Sequence, residues 1–116
     1  MANDDCLFCR IAKGEIPSKK VYEDAEFFAF RDINPQAPVH VLLIPKRHIP
    51  MLSALQQSDE ELMGSMMLRA SGIAEQEEIS ETGYRFVINN GESASQSVFH
   101  IHAHILGGRR FGWPPG

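Results

Sequence analysis

Three histidines alternate with apolar residues in His100-Ile101-His102-Ala103-His104. On a β-strand successive side chains point to opposite faces, so residues two apart share a face. The pattern predicts a row of imidazoles about 6–7 Å apart, with Ile101 and Ala103 turned into a core. Val98-Phe99 before it and Ile105-Leu106 after it suit one strand over 97–106. A neutral imidazole is a nucleophile near neutral pH, and a charged one is a proton donor. Crowding lowers each pKa by like-charge repulsion, so one ring can stay neutral and attack. A neighbour can then protonate a leaving group. A metal-binding or merely polar strand face would use the same residue types.

The other two histidines, His40 and His48, lie at the start and beyond the end of a second apolar stretch. If the two strands pair, the five imidazoles converge. Beside the row, 89–97 is a loop of small polar residues whose N–H groups, with Ser97, could cradle an anion such as phosphate. No Walker-type lysine loop accompanies it. A nucleophilic histidine beside a phosphate cradle points to attack on phosphorus, through a covalent phospho- or nucleotidyl-histidine.

The elements that must position these groups follow from pattern. A single domain over 1–116 is long enough to bury a core without disulfides. The apolar fraction is 43%. The net charge of −4 argues against broad nucleic-acid or anionic-membrane binding. No run approaches the ~20 apolar residues of a membrane span. No signal-peptide pattern opens the chain, so the expected compartment is the cytoplasm. Residues 1–5 are expected to fray, and Asp5 to cap a short helix over 6–13. Strands are expected over 20–23 and 26–31 as a hairpin, with a Pro-punctuated loop over 32–38. His-Val-Leu-Leu-Ile-Pro at 40–45 reads as a central strand buried on both faces. Ser58 and Glu61 match a capping box for a long helix over 58–76, with Leu62, Met63, Met66, Met67, Ala70, Ile73 and Ala74 as its apolar stripe. A strand over 84–89 precedes the histidine strand. The order implies an α+β fold with a mostly antiparallel five-stranded sheet, one long helix and a short N-terminal helix.

The two cysteines, Cys6 and Cys9, form a C-x-x-C, which in a reducing compartment reads as metal or redox chemistry.

The run Gln96-Ser97-Val98-Phe99-His100-Ile101-His102-Ala103-His104-Ile105-Leu106 resembles the signature of the histidine-triad (HIT) superfamily. Its Hint branch, the histidine-triad nucleotide-binding phosphoramidases, is resembled by Asp32-Ile33-Asn34-Pro35-Gln36-Ala37-Pro38 and by His40-Val41-Leu42-Leu43-Ile44-Pro45-Lys46. The ending Gly107-Gly108-Arg109 and Trp113-Pro114-Pro115-Gly116 resembles that branch too. The resemblance covers the chain from about Cys9 to Gly116. It implies a homodimer whose two sheets join into one. It also implies hydrolysis of purine nucleoside 5′-phosphoramidates to nucleoside monophosphate and amine, with no catalytic metal. His102 matches the nucleophile that becomes nucleotidylated. His40, His100 and His104 match histidines that orient and protonate around it. Ser97 and Gln96 match phosphate and leaving-group contacts, Asn89 a phosphate-side amide, Asp32 the ribose-binding acid, and Phe30 and Ile33 the walls around the purine.

One departure is Ser95, where Hint-like loops usually carry glycine. A side chain there is expected to alter the loop or weaken one N–H contact, because glycine tolerates positive φ at little cost. The Cys6–Cys9 pair resembles the start of bacterial HIT proteins that hold structural zinc, with His48 and His100 completing a tetrahedral Cys2His2 set. Two buried thiols or a redox pair are the alternatives, though the strand-then-helix setting of thioredoxin-type motifs is missing. Plainer roles exist for several residues. Asp32 could cap a turn, Asn89 end a strand, Lys46 and Arg47 stay solvated, and Trp113 pack on a surface. Competing functions are a purine nucleotide-binding or regulatory module with residual hydrolysis, and dinucleoside polyphosphate hydrolysis or nucleotidyl transfer.

Overall fold

A computed structural model describes residues 4–116. The fraying expected at the N-terminus falls partly on residues 1–3, outside the described residues. Helix α1 (Leu7–Ala12) leads into strands β1 (Lys20–Glu23), β2 (Phe27–Arg31) and β3 (Val39–Pro45). Helix α2 (Glu60–Gln76) follows, then β4 (Tyr84–Val87) and β5 (Ala103–Gly107). The strands form one antiparallel sheet in the order β1-β2-β3-β5-β4. The expected α+β sheet with one long and one short helix is therefore present.

Strand alternation divides the core in two. Phe27 and Ala29 of β2, Val41 and Leu43 of β3, and Ala103 and Ile105 of β5 pack against Met66, Ala70, Ile73 and Ala74 of α2. Phe28, Phe30, Leu42 and Ile44 face the other way and pack against Cys6, Phe8, Cys9 and Ile11 around α1. His40 shares the parity of Leu42, whose cross-strand partner on β5 is His104. The histidine face is thus the α1 face.

Four local expectations change. The cap of α1 is Cys6 rather than Asp5, its sulfur accepting from the Cys9 N–H at 3.4 Å. The long helix begins at Glu60, because Asp59 rather than Ser58 organises its entry. Asp59 accepts from the Gln56 N–H at 2.8 Å and is paired with Arg47. The histidine strand is shorter than 97–106. Only 103–107 enters the sheet, because the Ile101 N–H donates to the Ile49 carbonyl at 2.6 Å, outside the ladder. Strand β4 likewise ends at Val87, before Asn89.

At the other end of β5, Gly107 sits against Ile79, where an added Cβ would lie 2.7 Å from the Ile79 side chain. Arg31 at the end of β2 makes a two-point ion pair with Glu77 just past α2, at 2.6 and 3.1 Å. Among the described residues, no helix is long and apolar enough to cross a membrane.

Candidate active site and metal centre

The early exit from the ladder breaks the predicted row of three. His102 and His104 remain adjacent, with ring centroids 5.1 Å apart, and His104 stands equally close to His40. The His100 ring turns instead toward His48, at 5.1 Å. The five histidines form two groups, joined by the backbone between His100 and His102.

Each ring's tautomer follows from its partners. The Gln36 N–H donates to His40 Nδ1 at 3.0 Å, so that nitrogen carries the lone pair and Nε2 carries the hydrogen. His40 Nε2–H then donates to His104 Nδ1 at 2.9 Å, with Asp32 Oδ2 3.3 Å away. His104 accepts at Nδ1, leaving Nε2–H as a donor turned away from His40. His102 Nδ1–H donates to the His100 carbonyl at 2.8 Å, which leaves the lone pair on Nε2. His100 Nε2–H donates to the Pro45 carbonyl at 2.7 Å, which leaves its lone pair on Nδ1.

Burial keeps these rings neutral. His100 is fully buried, and His40 and His102 are 5% exposed. Burial pushes His104 down to about 4, with further lowering from His102 and His40. Burial lowers His40 as well, and Asp32 opposes the shift. Protonating either member of this pair would set two N–H groups against each other. The cluster therefore offers one lone pair, on His102 Nε2, and one N–H, on His104 Nε2. That is a nucleophile beside a donor for an anionic group. Asp32, His40 and His104 lie close enough together to suggest a metal site. His40 Nε2, however, already carries a hydrogen and acts as donor rather than ligand.

The second group does fit a metal. His100 Nδ1 lies 3.3 Å from Cys6 Sγ, 3.5 Å from Cys9 Sγ and 3.3 Å from His48 Nδ1. Cys9 Sγ lies 3.5 Å from His48 Nδ1. Zinc bonds of about 2.3 Å to sulfur and about 2.0–2.1 Å to nitrogen give tetrahedral edges of about 3.3–3.6 Å. The four N–N and N–S separations match those edges, all four donor atoms lie within 4.8 Å of one another, and the Pro45 carbonyl fixes the tautomer of His100 that a ligand needs.

The remaining expected residues separate. Phe30, Asp32, Ile33 and His40 line one cleft of about 620 Å³ with Ile11, Pro17 and Pro38. Asn89 lines a different groove with Ser93, Ser95, Arg85 and Arg109. Ser97 is exposed and borders a hollow beside Cys6, His48 and Phe99. Gln96 differs from the substrate contact expected of it. Its side chain is 5% exposed and spent on backbone, accepting from Gly91 N–H at 2.8 Å and donating to the Pro50 and Val98 carbonyls at 2.8 and 3.1 Å. It holds the loop. Ser95 adopts φ 69° and ψ 31°, the left-handed conformation that glycine would take without strain.

Two contributors had no individual signal in the sequence. Phe8 packs edge-on to His102 at 5.1 Å and 89°, and also meets Phe30 at 5.5 Å. Its place between Cys6 and Cys9 was the only available hint. The Gln36 main-chain N–H sets the His40 tautomer, and no side-chain pattern can mark such a donor.

Residues 13–111 match the HIT domain family. The chain is 52% identical over 113 residues to an uncharacterised HIT-like protein of Synechocystis, covering 97% of this chain and 98% of that one. It is also 52% identical over 113 residues to a 14 kDa zinc-binding protein of Zea mays, covering 95% and 87%. Its fold is similar to the crystal structure of a HIT family hydrolase from Legionella pneumophila, with TM-score 0.94, 51% identity and coverage of 96% and 99%. With His102 beside His104, His104 bonded to His40, and His100 among the Cys6 and Cys9 sulfurs, this chain belongs to the HIT domain family.

Proposed function

We propose that this HIT-family hydrolase-like protein is a Hint-type phosphoramidase, cleaving purine nucleoside 5′-phosphoramidates to the monophosphate and an amine. The observation that carries the reading is the tautomer of His102. Its Nδ1–H is committed to the His100 carbonyl, so Nε2 presents a lone pair at neutral pH. Attack forms the bond from His102 Nε2 to the α-phosphorus, and the P–N bond breaks. The electron pair leaves on the amine nitrogen, which takes up a proton supplied by solvent. Water then attacks phosphorus, releases a proton to solvent and frees His102. His104 Nε2–H stabilises the phosphoryl oxygens as charge develops, and His40 holds His104 in the donating tautomer.

The cleft with Phe30 and Ile33 accepts the purine, and Asp32 beside it accepts from the ribose hydroxyls. Asn89 and Ser97, on the loop beside the histidines, are assigned to the phosphate and the leaving group. Gln96 supports that loop. In this reading Cys6, Cys9, His48 and His100 hold a structural zinc ion, as the donor spacing and the zinc-binding maize relative support. Bound there, zinc would tie α1 to the chain around His48 and His100.

The protein acts as a homodimer in the cytoplasm. Strand β4 is a sheet edge, and Met67, Leu68 and Trp113 are exposed apolar side chains that a second copy would cover. The test is AMP release from an adenosine 5′-phosphoramidate. Wild type turns it over and His102→Ala does not; equal turnover in both would end the assignment.

A further inference from the structure

We infer that the metal centre has a second duty: Cys6, Cys9 and His48 are positioning residues for His102, acting through the backbone carbonyl of His100. This rests on the reading of His102 as the nucleophile.

His100 is held at three points. Its Nε2–H meets the Pro45 carbonyl at 2.7 Å, its Nδ1 lies among the cysteine and His48 donors, and its carbonyl accepts from His102 Nδ1 at 2.8 Å. The same residue therefore joins the metal donors to the ring that attacks phosphorus. Residues 97–102 have no sheet ladder to fix that carbonyl. Their backbone anchor is Ile101 N–H to the Ile49 carbonyl, next to His48.

The His48 and His100 Nδ1 atoms lie 3.3 Å apart. Two ring nitrogens at that distance share either a cation or a single hydrogen, which His48 Nδ1 would donate because His100 Nδ1 carries the lone pair. Without a metal one such hydrogen bond replaces the four-donor set, so the His100 ring and its carbonyl are held less firmly and His102 loses a fixed acceptor for its Nδ1–H. A second contact runs in parallel. Phe8, held between Cys6 and Cys9 on a helix of only six residues, presses edge-on against His102 at 5.1 Å.

The test uses full-length protein with 15N-labelled histidine at neutral pH. It compares zinc-loaded and chelated wild type with His48→Asn and His48→Cys. Two-bond 15N–1H spectra read which nitrogen of His102 carries hydrogen. Loaded wild type should show one tautomer, with hydrogen on Nδ1. Chelated protein and His48→Asn should show a mixture, with kcat about tenfold lower and KM unchanged. His48→Cys, a Cys3His set that also holds zinc, should restore both. If His102 keeps its single tautomer after metal loss, and only the melting temperature falls, the centre is merely structural and the inference is overturned. Absence of turnover by loaded wild type would overturn the functional reading instead, while the tautomer readout still decides the coupling.

Discussion

His40 Nε2 lies 2.9 Å from His104 Nδ1, and the hydrogen between them belongs to His40, because Gln36 N–H occupies its other nitrogen. The pair has no room for an extra proton. Burial, reinforced by His102 and His40, holds His104 at about 4 against an ordinary 6.5.

This gives a pH prediction with a definite sign. An unfolded His104 takes up a proton as pH falls through 6.5, whereas the folded one resists until about 4. The unfolded state binds more protons across that window, so stability rises with pH there and is lost as pH falls. Urea unfolding at several pH values should show the slope, and His104→Asn should flatten it. An equal slope in both proteins would contradict the account. For the same reason the acid limb of kcat/KM should fall below 6.5, the value of an unperturbed imidazole.

Ser95 stands at φ 69° between the Gly91 turn and buried Gln96. A non-glycine residue in the left-handed region costs on the order of 1 kcal/mol. Ser95→Gly should therefore raise unfolding stability by up to about that amount, less the extra chain entropy of glycine. Chemical denaturation checks it. A clear loss of stability would mean that the serine side chain makes a contact that outweighs its strain.

Gln96→Leu should cost on the order of 2–3 kcal/mol. It leaves the Pro50 and Val98 carbonyls and the Gly91 N–H without their partner. The amides of 91–96 should then exchange with solvent faster, by hydrogen-exchange mass spectrometry. Unchanged exchange would show that the loop is held from elsewhere.

How much of this the sequence reveals depends on whether the determinant is local. The two-faced burial of 40–45 is written in its apolar run, and the sheet places His40 beside His104 as the patterns of the two strands require. The grouping of Cys6, Cys9, His48 and His100 followed from family resemblance, and their spacing in space agrees with it. Long-range hydrogen bonds decide the rest. Nothing in 97–102 announces that Ile101 will bond to Ile49, or that Pro45 will take the His100 ring, so a six-residue extension of the strand was a natural expectation. Ser58 with Glu61 and Gln56 with Asp59 offer the same spacing for a cap. Arg47, twelve residues away in sequence, is paired with Asp59 and helps to fix it there. Gln96 looks like a ligand residue by type and is a loop brace by burial.

The most direct test of the central claim is acid- or denaturant-quenched mass spectrometry of the protein mixed with an adenosine phosphoramidate. A covalent adduct of one nucleotidyl group, mapped to His102 and absent from His102→Ala, is the predicted result. An adduct on another residue, or turnover that persists unchanged in His102→Ala, would contradict it.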